Sequence, residues 1–276
     1  MKNVIQMIGL ITLICFSFFY TDKVMTILNE QDPIMLTIME VKEKYKMDPV
    51  EAIIKDNTII PGIIGKEVDV ENSYNNMKQV GIFKDILLSY NDVYPLDLLV
   101  NNYDKYIISG NKNKQEVSII FTVTSNRDLD NIIANVDNNY NINLFIDYRV
   151  LSNNLDKIKN TKYNIYSYGN DGVYNKDILT LSNNLIEKNF NKSLYCLGNN
   201  DETINICKNK KMNTINSTYK YNDDAYNGVK NNLSNGIIMQ IENNKKNLEE
   251  FSYIYRYIYS KGLKVVSLEQ LLGENK

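Results

Sequence analysis

Polar side chains are predicted to lie where several β-strands end. The segment SIIFTVTSN reads as a buried strand running into a turn, and it presents Thr122 and Thr124 at its end. Asp147, Asp171 and Glu242 come at, or just past, the ends of later predicted strands. Because α/β proteins bind ligands at the carboxyl ends of parallel strands, these side chains outline a candidate cleft.

The residue types of this cleft permit few reactions. Carboxylates without imidazole suit Mg²⁺ or Ca²⁺ better than a hydrolytic zinc ion. The sequence contains no histidine, so a histidine base or metal ligand is excluded. No glycine-rich phosphate loop precedes a helix, and no Ser or Cys nucleophile has a visible base partner. We therefore predict no catalytic residue, no metal and no cofactor.

The carboxylates also have a simpler interpretation. Acidic residues on connecting loops are commonly solvated or cap helices. Asp171, followed by Gly172, is typical of a turn. Asp223 or Asp224 suits the start of a helix.

Composition excludes one class of partner. The 276-residue chain has 43% hydrophobic and 23% charged residues, as expected of a globular protein. Its formal net charge is −2. No basic field therefore favours a nucleic acid partner.

Three cysteines give no metal motif. Cys196 and Cys207 are eleven residues apart and can pair in an oxidising compartment, but spacing alone does not establish disulfide geometry. We expect two unpaired, partly buried thiols. Because no CxxC and no Cys/His grouping exists, a zinc site is not expected.

Residues 1–24 are predicted to form a single-pass signal anchor. The run from Val4 to Tyr20 carries no charge. Its length of seventeen residues is at the low end for a membrane-spanning helix. No small-residue cleavage site follows it, and bulky aromatic residues close it instead. Lys2 is expected to stay inside, which places the rest of the chain outside the cell. A buried helix of a soluble protein is the alternative.

Two further regions follow. Residues 25–112 are predicted to hold a juxtamembrane helix over 33–60, interrupted at Pro49, and a helical hairpin from Glu71 to Asp92. Residues 113–276 alternate short apolar strands with helices, which indicates a parallel sheet, open or closed into a barrel. The predicted strands are 117–123, 142–147, 163–167, 192–196, 213–217, 236–241 and 263–266. The predicted helices are 127–139, 149–159, 176–190, 201–211, 223–234 and 245–261.

The segment NLEEFSYIYRYIYSKG lies within the last of these helices. Its tyrosines alternate as in a strand, but its apolar residues recur at helical spacing and Gly262 follows as a stop. The tyrosines are interpreted as a packed, half-exposed face. A sugar-binding platform is the alternative.

Residues 116–272 resemble the polysaccharide deacetylase family, the NodB homology domain. EVSIIFTVTSNRDLDNIIANVDNNYNINLFIDYRVL is similar to the strand, helix and strand that open that domain. NKDILTLSNNLIEKNFNKSLYCLGN and SNGIIMQIE resemble its later helix and strands, and YIYSKGLKVVSLEQLL resembles its closing helix, strand and helix. The resemblance implies an α/β fold, a distorted (β/α)7 barrel preceded by a small N-terminal region and a transmembrane helix.

The resemblance also implies a reaction that this sequence is not equipped to perform. The family removes acetyl groups from N-acetylated glycans. One Asp and two His hold a metal that activates water, a second Asp is the base, and a further His is the acid that protonates the departing amine. A conserved arginine stands on a later strand. At these positions the sequence has Thr122, Val123, Tyr168, Gly172, Cys196 and Ile241.

We therefore predict a degenerate deacetylase: a membrane-anchored, extracytoplasmic and non-catalytic module of a bacterial cell wall, binding glycan or peptidoglycan or acting as a scaffold. The candidate cleft is Thr122, Thr124, Asp147, Tyr168, Asp171, Cys196 and Glu242, with Tyr166 and Tyr195 as further lining. One alternative is a carbohydrate N- or O-deacetylase with a rebuilt carboxylate site. Another is a purely structural partner of an unknown envelope protein.

Overall fold

The computed structural model describes residues 2–274, without the side chains of residues 2–6, 8, 22, 25 and 26. The helices are α1 Lys2–Glu30, α2 Pro33–Val41, α3 Val70–Lys78, α4 Asn126–Asn135, α5 Tyr148–Asn153, α6 Leu155–Lys159, α7 Lys176–Asn189, α8 Asp201–Asn209, α9 Ala225–Asn232, α10 Lys245–Glu249, α11 Phe251–Ser260 and α12 Leu268–Leu272. The strands are β1 Ile53–Lys55, β2 Thr58–Ile60, β3 Gly65–Asp69, β4 Ser89–Val93, β5 Tyr106–Ile107, β6 Glu116–Val123, β7 Asn143–Ile146, β8 Asn164–Ser167, β9 Tyr195–Leu197, β10 Asn213–Ile215, β11 Tyr219–Tyr221, β12 Ile238–Ile241 and β13 Lys264–Val265.

The chain divides into two units. The smaller unit contains the chain up to Pro49 together with Gly65–Val93. The larger unit contains Val50–Ile64 and the chain from Tyr94 onward. The candidate cleft residues all lie in the larger unit.

The helix predicted over 33–60 is much shorter in the smaller unit. Asp32 caps α2 by accepting a hydrogen bond from the Ile34 amide at 2.8 Å. The helix ends at Val41, and a short 3₁₀ turn follows to Lys44. Beyond it, Met47 exchanges backbone hydrogen bonds of 2.7 Å with Lys66, so extended pairing replaces the predicted helix.

The helical hairpin predicted from Glu71 to Asp92 is also wrong in its second half. The first half is α3, but the chain then forms β4, which pairs antiparallel with β3 over five residues. The Ser89 amide donates to the Ser73 hydroxyl at 2.9 Å, which fixes β4 beside α3. Pairing with a strand distant in sequence therefore overrides the local helical pattern.

The predicted anchor lies in α1, although Met1 is outside the described residues. Many of the described apolar side chains of α1 are exposed, including Leu10, Phe16 and Phe19. In the part of the chain that the structure describes, no helix combines the length and the apolar character needed to cross a membrane.

The larger unit is built on two sheets. The first has the order β1-β2-β5-β10-β9, and the second has the order β11-β12-β6-β7-β8 with β13 also paired to β6. Neighbouring strands are parallel except for β1 and β2. In the described residues, no backbone ladder joins β8 to β9 or β10 to β11. The architecture is a mixed α/β fold.

Side chains alternate between two apolar layers. In β6, Phe121 and Val123 pack outward against the helices, whereas Ile120 points inward. The inner layer joins both sheets and includes Ile59, Ile107, Ile120, Phe145, Tyr166, Tyr195, Leu197, Ile215 and Ile238. The two-residue period of a strand therefore places the next inward position of β6 at Thr122.

The predicted alternation of strands and helices in this unit is confirmed. Each of the seven predicted strands corresponds to a strand of the structure, with ends shifted by a few residues. The three-residue β11 was not predicted, because Tyr219–Tyr221 is too short for a periodic signal. The helix predicted over 245–261 is divided at Glu250 into α10 and α11.

Cys196 and Cys207 form a disulfide bond, so the expectation of two unpaired thiols is wrong. Cys196 lies on β9 and Cys207 on α8, with their Cα atoms 6.4 Å apart. Both are completely buried in an outer cluster with Tyr174, Leu179 and Met212. The packing of α8 on β9 brings the two thiols together, which spacing alone did not reveal.

Candidate functional site

A polar cavity of about 290 Å³ opens at the carboxyl ends of β6, β11 and β12. Its lining residues carry hydroxyl, amide, carboxylate and ammonium groups. They are Thr122, Thr124, Asp128, Lys220, Asn222, Gln240, Glu242 and Asn243. We call the space that these residues line the polar cavity.

Strand alternation explains why these residues face one space. Lys220 on β11, Gln240 on β12 and Ile120 on β6 lie at the same level of the sheet. Ile120 belongs to the inner layer, so Lys220 and Gln240 also point inward. Thr122 follows Ile120 by two residues, and Glu242 follows Gln240 by two. The cavity is therefore the polar upper end of the apolar inner layer.

One carboxylate of the cavity is already used by the fold. Asp128 Oδ2 accepts hydrogen bonds from the amides of Thr124 at 3.1 Å and Ser125 at 2.9 Å, and from the Thr124 hydroxyl at 3.1 Å. The Ser125 hydroxyl accepts from the Asp128 amide in return, so the pair forms a capping box that starts α4. Asp128 and Thr124 are thereby held by helix capping.

Other groups of the cavity are available to a ligand. Gln240 Oε1 is buried and has no hydrogen-bond partner in the described chain. The side chains of Lys220 and Glu242 form no ion pair with any described residue. Asn243 donates to the Thr122 carbonyl at 3.0 Å, which closes the cavity between β12 and β6. A buried acceptor without a donor is costly, so a ligand hydroxyl or amide would satisfy it.

Asp147 and Asp171 lie close together, and the guanidinium of Arg149 contacts both carboxylates. Asp147 is completely buried, and its Oδ1 accepts from the Arg149 amide at 2.8 Å while its Oδ2 accepts from the Asp171 amide at 2.6 Å. Arg149 Nε lies 3.3 Å from Asp147 Oδ1, and its Nη2 lies 2.8 Å from Asp171 Oδ2. The hydrogen bond to Asp147 raises the pKa of Arg149. We call these three residues the carboxylate clasp.

The tyrosines expected in the cleft fill the interior instead. Tyr166 and Tyr195 are almost fully buried, and the Tyr166 ring stacks on Phe145 with centroids 4.9 Å apart. Tyr166 donates to Glu269 at 2.5 Å, and burial raises its pKa well above the ordinary value. Tyr168 is half-buried, and desolvation raises its pKa as well. The side of the interior formed by β7, β8 and β9 is therefore packed with rings.

The structure separates the predicted site residues into three places. Thr122, Thr124 and Glu242 line the polar cavity. Asp147 and Asp171 belong to the carboxylate clasp, with Tyr168 on the same loop as Asp171. Cys196 points to the outer layer in its disulfide and takes no part in the cavity.

Sequence reasoning missed Lys220, Gln240 and Arg149. Gln240 follows Ile238 by two residues, but the sequence alone did not show that Ile238 faces the inner layer. Lys220 lies on β11, which was not predicted. Arg149 lies at the start of α5, where no site residue was predicted.

The donors present do not fit the metal site implied by the fold. The chain supplies no imidazole. Asp128 is occupied by helix capping, and Asp147 by two amides and a guanidinium. Within residues 2–274, no three Asp, Glu or Cys side chains come together in an arrangement able to hold a metal ion. No step through a metal is therefore derived for this chain.

The comparison with solved structures defines the class of fold. The chain has the fold of the polysaccharide deacetylases, carbohydrate esterase family 4, and the resemblance seen in the sequence is confirmed at the level of the fold. No family model matches the sequence.

Particular relatives follow from the comparisons. BA3943 from Bacillus anthracis, described as a pseudoenzyme of that family, has a TM-score of 0.63 and 23% identity, covering 89% of this chain and 97% of its own. A BA3943 mutant with restored enzymatic activity has a TM-score of 0.63 and 22% identity, over 88% and 99%. The peptidoglycan N-acetylglucosamine deacetylase Bc1960 has a TM-score of 0.51 and 13% identity, over 62% and 95%.

A sequence relative is also found. YlxY of Bacillus subtilis (strain 168), described as uncharacterized, is 26% identical over 171 residues. The match covers 61% of this chain and 54% of YlxY, so the chain spans about half the length of this relative.

Proposed function

We propose that this protein is a non-catalytic module with a deacetylase fold that binds a glycan chain in the polar cavity. The observation that carries the proposal is a cavity lined by hydroxyl, amide, carboxylate and ammonium groups, in a chain that lacks imidazole. One buried acceptor of this cavity has no hydrogen-bond partner among the described residues. The chemistry matches the hydroxyl and acetamido groups of a cell-wall glycan. We interpret the two sheets around one inner layer as a distorted, incompletely hydrogen-bonded barrel.

The loss of hydrolysis follows from the hydrogen bonds that the carboxylates already accept within the fold. A hydrolytic water needs a Lewis acid or a base close to the scissile amide. Asp128 and Asp147 are each held by amide donors, and the Asp147 charge faces a guanidinium. Glu242 is then the one carboxylate of the cavity lining without a described partner.

The proposed location is outside the cytoplasm. Disulfide bonds persist in oxidising compartments and are rare where thiols are kept reduced, and the Cys196–Cys207 bond supports this location. Attachment to the membrane through residues 1–24 stays a prediction. Fractionation of cells, followed by alkylation of free thiols, tests both: we expect membrane-associated protein in which only Cys15 is alkylated.

Binding is tested with purified full chain and N-acetylglucosamine oligomers in calorimetry. We expect saturable binding that Gln240→Leu weakens by about tenfold, since a ligand donor loses its buried acceptor. Gln115→Leu, an exposed glutamine outside the cavity, is the matched control. Absence of binding to any oligomer would leave the scaffold alternative.

Activity is tested in the same preparation. Acetate release is measured with Zn²⁺, Co²⁺ or Mg²⁺ added, and we expect none above the protein-free control. Metal-dependent release that Glu242→Gln abolishes would replace the proposed function with the rebuilt-site deacetylase.

A further inference from the structure

Tyrosine and lysine side chains of α11 and of the neighbouring helix α9 form an aromatic and cationic surface. Tyr253, Tyr257 and Lys261 follow one another at intervals of four residues along α11 and just past it. Tyr226 and Lys230 have the same spacing on α9. Residues four apart lie on one face of a helix, so each helix carries a row of tyrosine followed by lysine. We call these five residues the tyrosine face.

Direct contacts join the two rows. The rings of Tyr226 and Tyr257 meet edge to face with centroids 6.2 Å apart. Lys230 Nζ lies 5.5 Å from the Tyr226 ring centroid, and Lys261 Nζ lies 5.2 Å from the Tyr257 ring centroid. Tyr226 and Tyr257 are partly packed against the outer layer, which fixes their rings. Tyr253 is 60% exposed and extends the face into solvent.

The charged side chains within α9 and α11 are all basic. The sequences of α9 and α11 contain no acidic residue, whereas Lys230, Arg256 and Lys261 are exposed on or beside them. The acids that flank the two helices in sequence are Asp223, Asp224, Glu249 and Glu250. Asp224 and Glu249 are each within 4 Å of a lysine of α10, whereas Asp223 and Glu250 form no ion pair with a described residue. Favourable contact with helix C-terminal carbonyls accounts for lysines at these positions, but it does not account for the exposed tyrosine beside them.

The chemistry of the face selects its occupant. Among the described residues of α9 and α11, the large exposed hydrophobic side chains are Tyr253 and Tyr259, and no aliphatic side chain accompanies them. Aromatic rings with a polar tip bind partners that are apolar on one face and wet on the other. Sugar rings have this character. The basic side chains beside the tyrosine rings favour a polymer that also carries negative charge.

We propose that the tyrosine face binds an anionic polysaccharide, with sugar rings on Tyr253 and Tyr257 and the negative groups beside Lys230, Arg256 and Lys261. This surface is separate in residues from the polar cavity. Its binding does not depend on the proposed function.

The test uses the full chain and three probes in calorimetry at low salt. Hyaluronan oligomers carry both sugar rings and carboxylates, N-acetylglucosamine oligomers carry rings without charge, and poly(glycerol phosphate) carries charge without rings. We expect hyaluronan to bind more tightly than either of the others, and its affinity to fall as salt screens the cations.

Matched variants separate the face from the general surface. Tyr253→Ser and Lys261→Gln are each expected to weaken hyaluronan binding about three- to tenfold. Tyr94→Ser is the control for the tyrosine, because Tyr94 is also 60% exposed in the same unit. Lys188→Gln on α7 is the control for the lysine, and neither control is expected to change the affinity.

Several outcomes would overturn the inference. Hyaluronan that fails to bind, or that binds the face variants and the controls equally, removes the tyrosine face as a site. Poly(glycerol phosphate) binding as tightly as hyaluronan removes the role of sugar rings. Because hyaluronan also carries the acetamido groups proposed for the polar cavity, each titration is repeated in the Gln240→Leu background. The losses caused by Tyr253→Ser and Lys261→Gln are expected to persist there, so failure of the tyrosine face is distinguished from failure of the glycan site in the polar cavity.

Discussion

Asp147 is predicted to stabilise the fold rather than perform catalysis, and Asp147→Asn tests this directly. Its two carboxylate oxygens each accept an amide hydrogen bond, at 2.8 and 2.6 Å, in a completely buried position. An asparagine amide keeps one acceptor and turns an NH₂ group towards the second N–H donor. Losing one hydrogen bond to a charged group, with a buried donor left unpaired, costs about 2–3 kcal/mol.

Thermal unfolding followed by circular dichroism measures this loss. For a unit of about 200 residues, each kcal/mol lowers Tm by about 2–4 °C, so a drop of about 4–12 °C is expected. Asp171→Asn is the matched control, because Asp171 is exposed, its φ is +51°, and Asn tolerates that conformation. We expect only a small change there, since exposed ion pairs contribute little.

Two results would refute the reasoning. A Tm for Asp147→Asn equal to that of the wild type would show that the buried carboxylate is not needed for folding. An equal drop for Asp171→Asn would show that the effect comes from charge alone and not from burial.

Three further predictions concern stability. Burial raises the pKa of Tyr163 and Tyr221 to about 12, so their contribution to stability is complete below pH 10 and is lost as pH rises towards 12. The fall in the free energy of unfolding between pH 10 and pH 12, measured by urea unfolding, should be smaller for Tyr163→Phe than for the wild type, and an equal fall would contradict this. Replacing Cys196 and Cys207 together by serine is expected to lower the free energy of unfolding by about 3 kcal/mol relative to the oxidised wild type, for a loop of eleven residues. Urea unfolding measures this loss, the reduced wild type should match the variant, and equal stability of the oxidised wild type and the variant would contradict the prediction. Gly236→Ala is expected to lower the unfolding free energy by at least about 1 kcal/mol, because φ is +81° and the added Cβ would lie 2.5 Å from a backbone oxygen; an unchanged urea midpoint would argue against this strain.

Elements carried by local pattern were predictable from the sequence. The segment 117–123 is a continuous apolar run, which suits a strand buried on both faces. The closing helix and strand were recognisable because Gly262, with φ of +76°, follows a helical spacing of apolar residues. Thr122 and Glu242 lie at the carboxyl ends of β6 and β12 and line one cavity, whereas their part in a ligand site stays a prediction.

Elements that depend on distant partners were not predictable. The segment Ser89–Val93 is a strand only because Gly65–Asp69 lies beside it. Gln240 became a site residue only once Ile238 was known to face the inner layer. In each case the deciding energy comes from a contact between residues far apart in the chain.

By itself the sequence determined which chemistry is open to this protein: a chain without imidazole, with an alternating α/β pattern, has neither a histidine base nor a histidine metal ligand. Tertiary structure decided which of the remaining groups are free. It placed Arg149 against Asp147, paired the two cysteines, filled one side of the interior with rings and left Gln240 Oε1 without a hydrogen-bond partner among the described residues. The physical reason is that a side chain's availability depends on the hydrogen bonds and burial it receives from other elements, and these are known only when the chain has folded.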